Sequence, residues 1–532
     1  MQKFFTLNDL DVKGKRVLVR ASYDVPLDSS KSILDPKRVK NDSRIVDTLS
    51  TLAYLIKNNA KIILQPGWLG RPKGEDPDLS MAPVALRLQE LLKGQGLLKH
   101  PLLFAPNCLD GSNPRSVYKN KEEVRKIVEK IQEGQIVMLE NVRYDPEANS
   151  NNQDFAKFIA DLAGPDAVYV NEAEAQNHRP EATIISTPRY IVQNGGKAVF
   201  GLKYEGVIKY IGSISKLLRE KQRGPFIFFL SGKKIETQVG ITSKISVTHS
   251  LLDKMKKGDT IIVQGAVVYT FLITSEYLDV IEQNKDKIES VISDYNKKIE
   301  QETEKINKEK KQNTSQSVSD MQTAMQKEKS EKIKDIMGIT DNEIRHLVGN
   351  SLVEWKEVGE QIAFASRVFF KAKEKNVAIF MNSDHIISNK YPDKYGNLPN
   401  NAEMKFFGDP VGIPEGWLGV GPGPKTMESI CKKVENSYLL ILAGPVQIED
   451  SRLEETYRTN RKLLDAIKKA KENGAVTIAA GGDTVGMVNS MKSADSFTVL
   501  SNAGGATLEL IEKDGRLPGI DALEENYKRF KR

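Results

Sequence analysis

Five arginines stand at intervals along the first third of the 532-residue chain, each beside an apolar run or in the loop that follows it. A guanidinium group is planar and permanently charged, and it can grip a phosphate or a carboxylate with two parallel hydrogen bonds. If the loops that carry these arginines converge, they form a binding surface for an anionic ligand. The five residues are Arg20, Arg44, Arg71, Arg143 and Arg179.

Short apolar runs alternate with helical stretches in this region, and a second block of the chain repeats the alternation. Repeated strand–helix–strand units predict parallel sheets with helices on both faces. Such sheets bind ligands at the carboxyl ends of their strands, where most of the arginines lie. The predicted strands are RVLVR, KIILQ, LLFA, IVMLEN, AVYVNE and ATIIS in the first block, and FIFFLSG, TIIVQGA, VAIFMNS, YLLILAG, AVTIAAGG and FTVLSNAGG in the second.

Composition narrows the class of protein. The formal net charge of +7 is modest for this length; it favours an anionic ligand or an acidic partner surface and does not by itself indicate nucleic acid. Cys108 and Cys431 are the only cysteines and lie far apart, so we expect neither a disulfide scaffold nor a cysteine-based metal site. The N-terminal stretch lacks the apolar core of a secretory signal, and no run approaches the roughly 18 apolar residues of a membrane span. These features predict a cytoplasmic protein that does not contact membranes.

One segment, about residues 276–334, loses the strand pattern and becomes rich in Lys, Glu and Gln. Apolar residues recur there every seven positions in two series offset by four, as at the a and d positions of a coiled coil. This predicts an antiparallel helical hairpin that could dock protein partners, with a disordered charged loop as the alternative. The two apolar seams could also satisfy each other, and no partner would then be required. The series are Ile281, Ile288 and Tyr295, and Ile292, Ile299 and Ile306.

Motifs in both blocks resemble the phosphoglycerate kinase family and follow its order nearly end to end, except for the insertion. They include KGKRVLVRASYDVPLD, LGRPKGE, LENVRYDPE, NHR, SGKKI, IPEGWLG, GPKT, AVTIAAGGDT and GGATLELIE. The resemblance implies phosphoryl transfer between 1,3-bisphosphoglycerate and ADP, or between 3-phosphoglycerate and ATP, with Mg²⁺ bound to the nucleotide. It also implies that the first lobe holds the acid and the second holds the nucleotide.

The expected fold class is therefore α/β, with two Rossmann-like parallel-sheet lobes joined by a hinge and a helical hairpin inserted in the second lobe. We place the first lobe at residues 1–202, an inter-lobe helix at 203–223 and the second lobe at 224–515. Residues 516–532 are expected to pack back on the first lobe.

On the acid side, the resemblance implies a basic patch in which Arg44 stabilises the transferring group. The family's aspartate and asparagine in the first loop are Ser22 and Asp24 here, and its histidine before LGRP is Trp68. An added carboxylate beside an anionic substrate is unfavourable unless it is paired or protonated. The implied acid-binding residues are Arg20, Ser22, Asp24, Arg71, Arg143, His178 and Arg179.

On the nucleotide side, the resemblance implies two lysines near the migrating phosphoryl group. Lys234 matches the first, but the second is Gln238, which can donate a hydrogen bond and carries no charge. The implied catalytic residues are thus Arg44, Lys234 and Gly482.

The turns of the implied nucleotide site also differ from the family pattern. A triple glycine reads Gln264-Gly265-Ala266, which places side chains where adenine packs, and an Asn-Gly-Pro turn reads Ala443-Gly444-Pro445. The implied nucleotide-binding residues are Ser231, Gly232, Gly265, Pro445, Asp450, Gly481, Asp483, Thr484, Gly504 and Gly505, and Asp483 is the implied Mg²⁺ ligand through the nucleotide.

Three hypotheses follow: an active phosphoglycerate kinase, a homologue with weakened or lost catalysis that is a structural subunit of a larger assembly, and a sensor that binds a phosphorylated acid without transferring a group. The fold alone cannot separate them, because function depends on the site. The number of substitutions in both implied sites favours the second hypothesis, with the active glycolytic enzyme as the alternative.

Overall fold

The computed structural model describes residues 4–148, 150–220, 222–232, 244–308, 314–351, 353, 355–392, 398–448 and 454–530. The chain divides into two compact units, one of Met1–Lys216 with Ala506–Arg532 and the other of Leu217–Gly505. Within the described ranges, no helix combines the length and the apolar character needed to cross a membrane.

The first unit is built on a six-stranded parallel sheet with the order β3-β4-β2-β1-β5-β6. Its central strands are buried on both faces, which explains why they read as continuous apolar runs. The strands are β1 (Arg16–Arg20), β2 (Lys61–Gln65), β3 (Leu103–Ala105), β4 (Ile136–Leu139), β5 (Val168–Asn171) and β6 (Lys197–Phe200). The helices that alternate with them are α1 (Ser43–Val46), α2 (Leu49–Lys57), α3 (Ala82–Gly94), α4 (Lys121–Glu129), α5 (Gln153–Ala163), α6 (Ser186–Gln193) and α7 (Leu202–Arg219).

The strand predicted at ATIIS is wrong. Residues 182–185 form turns that lead into α6, and the sixth strand is the later run KAVF, which pairs with β5 as β6. A short apolar run indicates burial without distinguishing a strand from a buried turn. Ala182 and Ile184 are indeed fully buried, and Thr183 between them contacts the site described below.

The second unit contains a parallel sheet with the order β15-β14-β13-β7-β8-β9, and its six strands coincide with the six predicted runs. A small antiparallel sheet, β11-β10-β12, was not predicted. The strands are β7 (Phe226–Leu230), β8 (Thr260–Val263), β9 (Ala378–Phe380), β10 (His385–Ser388), β11 (Met404–Phe407), β12 (Leu418–Pro422), β13 (Leu439–Ala443), β14 (Val476–Ala480) and β15 (Val499–Ser501).

The later helices include the predicted hairpin and the C-terminal helix. They are α8 (Lys244–Leu251), α9 (Val267–Glu276), α10 (Leu278–Gln283), α11 (Lys285–Lys308), α12 (Thr314–Met337), α13 (Asp341–Val348), α14 (Val358–Lys375), α15 (Pro424–Glu435), α16 (Glu454–Glu472), α17 (Gly482–Ser490), α18 (Gly504–Glu512) and α19 (Pro518–Phe530). In the first unit, α19 packs on α6 and β6, where Glu525 pairs with Arg189 at 2.8 Å.

The insertion forms an antiparallel helical hairpin of α11 and α12, as predicted. Contacts between its helices run in opposite directions: the Tyr295 hydroxyl donates to Glu328 at 2.6 Å, whereas farther along α11 Thr303 accepts from Gln322 at 3.3 Å. Five of the six seam residues are buried and Ile306 is partly exposed, and none of the large apolar residues that are exposed in the described part of the chain lies on α11 or α12.

The base of the hairpin is fixed to α14 by polar contacts in the interior. Lys329 of α12 forms a fully buried ion pair with Glu360 of α14 at 2.6 Å. One residue on, the Ser330 hydroxyl accepts a hydrogen bond from the Gly359 backbone N–H at 2.9 Å, and a Cβ at Gly359 would lie only 2.2 Å from the Ser330 carbonyl oxygen. The hairpin is thus packed into the second unit, whereas the sequence suggested an arm that adds little to a core.

Candidate functional site

The predicted arginines of the first unit lie at the carboxyl-end edge of its sheet. Arg20 is the last residue of β1, Arg44 lies on α1, and Arg71, Arg143 and Arg179 follow β2, β4 and β5. Burial lowers the pKa of Arg143, which is further influenced by charges on Glu181, Arg179, Asp24 and Arg71, so these groups are close neighbours. We call the four guanidinium groups that meet here the arginine floor: Arg20, Arg71, Arg143 and Arg179.

Arg44 is not among the residues that interact with this cluster in the described part of the chain. It is half-buried on α1 and forms no ion pair with any described residue. Arg71 and Arg179 are exposed and likewise have no acidic partner within hydrogen-bond distance in the described part of the chain. Their charges are therefore available to an anion.

Arg20, one of the predicted acid-binding residues, is fully buried. Its Nε donates to Thr183 Oγ1 at 2.8 Å, its Nη1 donates to the carbonyl of Ala21, and its Nη2 lies 3.6 Å from Glu181 Oε2. Burial lowers the pKa of Arg20, and Glu181 partly offsets this effect. Arg20 is therefore the buried member of the floor, and Nη2 is its one nitrogen that is buried without a hydrogen-bond partner.

Glu181 is a site residue that sequence reasoning missed. Only 4 % of its surface is exposed, and burial raises the pKa of its carboxyl to about 7, although Arg20, Arg179 and Arg143 act to lower it. Its position two residues after Arg179, in the motif NHRPEAT, was the available signal. An acid embedded among guanidinium groups reduces the positive charge that an anionic ligand would meet.

Trp68 supports two arginines of the floor. The Arg143 guanidinium carbon lies 4.2 Å from the centre of the indole ring, and that of Arg179 lies 5.1 Å from it. Arg143 Nη1 also donates to the carbonyl of Gly70. A guanidinium over an indole face is attracted by the ring quadrupole, so the ring restrains both cations.

Truncating the indole should therefore weaken anion binding. We expect Trp68→Ala to raise the dissociation constant for sulfate by about threefold to tenfold, because two stacked guanidinium groups lose their support. Calorimetric titration of the full chain measures this. Trp355→Ala is the matched control, since Trp355 stacks with Arg345 at 4.4 Å in the second unit. Equal affinities of wild type and Trp68→Ala would contradict a positioning role for the ring.

The two substituted positions of the first loop have different surroundings. Asp24 Oδ1 accepts a hydrogen bond from the Gly70 backbone N–H at 3.0 Å, and its charge also acts on Arg143. The added carboxylate therefore has a hydrogen-bond donor, which offsets part of the expected penalty. Ser22 is buried, and its hydroxyl has no hydrogen-bond partner.

Two buried glutamines beside the floor were also missed. Gln65 Oε1 accepts from the Gly67 backbone N–H at 3.2 Å, but its Nε2 has no partner, and neither side-chain amide atom of Gln176 has one. Gly67 has φ +85°, and a Cβ there would lie 2.7 Å from Arg20 Nη1 and 2.8 Å from Gln176 Oε1. Buried polar atoms without partners are costly, so this cluster favours a polar ligand or ordered water.

His178 lies in the same loop as Arg179. It is half-buried, and its Nδ1 has no hydrogen-bond partner. Burial lowers its pKa; Glu509 opposes this shift, and Arg179 and Lys513 add to it. A neutral imidazole is therefore favoured, so His178 adds no positive charge to that of the arginines.

In the second unit, the predicted nucleotide turns meet at the carboxyl ends of the parallel strands. The Ser231 hydroxyl donates to the Gly444 carbonyl at 2.7 Å, and the Ala266 N–H donates to the Gly232 carbonyl at 3.0 Å. Gly265 has φ +66°, and a Cβ there would lie 2.8 Å from the Gly232 nitrogen and 3.2 Å from the Pro445 oxygen. Side chains larger than hydrogen are thus excluded where these turns cross.

The GGDT turn begins α17 and lies beside the start of α18. Gly481 has φ +109°, and a Cβ there would lie 3.6 Å from Gly504 Cα, so two helix N-termini are adjacent, with Gly505 in the first turn of α18. Thr484 is buried, and its hydroxyl accepts from the Gly444 N–H at 2.9 Å, whereas Asp483 is exposed. Backbone N–H groups at such termini suit phosphate, and one exposed carboxylate suits a nucleotide-bound Mg²⁺.

Gln264, expected beside adenine, turns into the interior. It is fully buried, and its Nε2 donates to Asn382 Oδ1 at 2.8 Å. Asn382 in turn contacts His385 Nδ1 at 3.0 Å. Three further predicted residues, Lys234, Gln238 and Asp450, lie outside the described residues.

Comparisons with known proteins agree with the sequence motifs. A family profile described as phosphoglycerate kinase matches residues 7–346 and 344–514. The phosphoglycerate kinase of Clostridium kluyveri is 28% identical over 520 residues, covering 97% of this chain and 98% of the relative. That of Chlorobaculum tepidum is 29% identical over 522 residues, covering 98% and 99%.

Solved structures share the fold. The structure of phosphoglycerate kinase from Coxiella burnetii superposes with a TM-score of 0.60 at 22% identity, covering 99% of this chain and 100% of the other. The crystal structure of phosphoglycerate kinase from Pyrococcus horikoshii OT3 superposes with a TM-score of 0.63 at 16% identity, with the same coverage.

Proposed function

This chain belongs to the phosphoglycerate kinase family, and from that premise we propose that it binds a phosphorylated acid of the 3-phosphoglycerate type while its phosphoryl transfer is weakened or lost. The observation that carries the proposal is the arginine floor, where guanidinium groups outnumber the carboxylates of Asp24 and Glu181. Like charges held close together are stabilised when an anion enters.

Acid binding draws on the guanidinium groups of the floor and on buried donors beside them that lack hydrogen-bond partners. Arg71 and Arg179 are exposed, and the half-buried Arg143 stacks on the Trp68 ring. We assign the phosphate or carboxylate of the ligand to these three residues, with Arg44 reserved for the transferring group as in the family. Arg20 and Ser22 supply buried donors beside them.

Mg-ADP or Mg-ATP is the proposed second ligand, provided that nucleotide binding is retained. The adjacent N-termini of α17 and α18 offer backbone donors to its phosphates, and Asp483 would hold the ion together with phosphate oxygens. When bound, Mg²⁺ supplies charge that neutralises the phosphates.

Weakened transfer follows from the charges that are missing or already engaged. Gln238 replaces a family lysine, and loss of one such stabiliser commonly costs about 10²- to 10³-fold in rate. In addition, Arg20 is committed to Glu181 and Thr183, so less of its charge reaches the ligand.

Two measurements on purified full-length protein test the proposal. In a thermal shift assay, we expect 3-phosphoglycerate to raise the melting temperature, because it binds only the folded state. In a coupled assay of ATP formation, we expect turnover about 10²- to 10³-fold below that of an ordinary kinase. Turnover at the ordinary level would support the alternative, an active glycolytic phosphoglycerate kinase.

We also propose that the protein is a cytoplasmic structural subunit of a larger assembly, contacting protein partners through the hairpin. The supporting feature is the exposed charged surface of α11 and α12, which includes Lys297 and Lys327 and which the family reaction does not use. Because most of the apolar seam is buried, such contacts would be mainly polar.

A further inference from the structure

We propose that Glu181 is a built-in counter-ion of the arginine floor, and that an anion binding to the floor makes Glu181 take up a proton. The inference rests on the proposed function, because it concerns the same floor. It adds a regulatory role for a carboxylate that is not among the predicted site residues.

Geometry gives Glu181 this role. Its carboxylate lies 3.6 Å from Arg20 Nη2, just beyond hydrogen-bond distance, and it accepts no hydrogen bond from any described residue. Arg179, on its own loop, and Arg143, in the loop after β4, also attract it. A nearly buried carboxylate held by charge alone is sensitive to any change in those charges.

An entering anion directly changes the charges that surround Glu181. It occupies the guanidinium groups that had stabilised the ionised carboxylate, and it adds a like charge beside it. Both effects favour the protonated acid. The complex therefore binds more protons than the free protein, and by linkage the affinity for the anion falls as pH rises through the free-state pKa of Glu181, about 7.

Other titratable groups near the floor require a control. His178 faces Arg179 together with Glu509 and Lys513, and its protonation would also strengthen anion binding at lower pH. Asp24 is held by the Gly70 N–H. The difference in the pH dependence of sulfate affinity between wild type and a Glu181 variant separates the contribution of Glu181 from those of His178 and Asp24.

The test is calorimetric titration of the full chain with sulfate, which remains a dianion across the range, in two buffers of different ionisation enthalpy. We expect wild-type affinity to fall about tenfold from pH 6 to pH 8, with an uptake approaching one proton per sulfate at pH 8. The number of protons taken up per bound sulfate is measured on the wild-type protein and does not depend on the folding of any variant. Binding without proton uptake at pH 8 would overturn the inference and leave the proposed function standing.

Glu181→Gln identifies the proton acceptor. We expect this variant to bind sulfate about tenfold more tightly than wild type at pH 8 and nearly equally at pH 6, without proton uptake. Glu122→Gln, which removes an exposed carboxylate on α4, should behave as wild type. Proton uptake that persists in Glu181→Gln would overturn the assignment. Failure of both proteins to bind sulfate or 3-phosphoglycerate at any pH would instead reject the proposed function, and the inference with it.

Discussion

Gln238→Lys is expected to raise the turnover of ATP formation by about 10²- to 10³-fold over wild type. Charge on a transferring phosphoryl group is spread over three oxygens, so catalysis depends mainly on positioned cations. Glutamine keeps a hydrogen-bond donor at this position but supplies no charge. Restoring the cation should therefore act on the transition state, and kcat should change far more than KM.

The coupled assay compares wild type, Gln238→Lys and Gln301→Lys. Gln301 is exposed on α11, so its substitution adds the same charge away from the site and should leave turnover unchanged. If Gln238→Lys gives no increase, the missing lysine is not what limits transfer. The other substitutions, such as Ser22 with its unpartnered hydroxyl, would then be the next to restore.

Much of the fold was predictable because its signals are local. Strands such as β7 and β14 read as continuous apolar runs that end in small residues, and this pattern survives in any parallel sheet covered on both faces. The antiparallel strand β11 was missed because it is short and its residues are largely exposed. The strand prediction at ATIIS failed for the opposite reason, because this run is buried but does not form a strand.

The site was predictable in residue type but not in arrangement. Spacing and resemblance identified the arginines, whereas the burial of Arg20 depends on Glu181 and Thr183, more than 160 positions later in the chain. The stacking of two arginines on Trp68 also requires loops from three strands to meet. Such pairings are tertiary, and no local pattern encodes them.

Lys329→Met is expected to destabilise the packing of the hairpin on α14 by about 3–5 kcal/mol, because it leaves Glu360 buried without its cation. Burial already raises the pKa of Glu360, and Lys329 opposes that shift. Without the lysine, the pKa should rise further, so the folded variant binds a proton that the unfolded chain releases. The deficit relative to wild type should therefore shrink as pH falls from 8 to 5.

Hydrogen exchange of α12 and α14 amides is the measurement, since a protein of two compact units need not unfold in one step. Lys329→Met/Glu360→Leu should recover most of the protection, because an apolar pair replaces both charges and Asn296, the other partner of Lys329, is partly accessible to water. Lys432→Met breaks an exposed ion pair with Glu428 and should leave the hydrogen-exchange protection of α12 and α14 unchanged. Unchanged protection in Lys329→Met would mean that the buried Lys329–Glu360 pair does not hold the hairpin to α14. Loss of protection in α14 as well as α12 would mean that the base of the hairpin is needed to hold the second unit together. Protein partners could then reach only the charged outer faces of the hairpin.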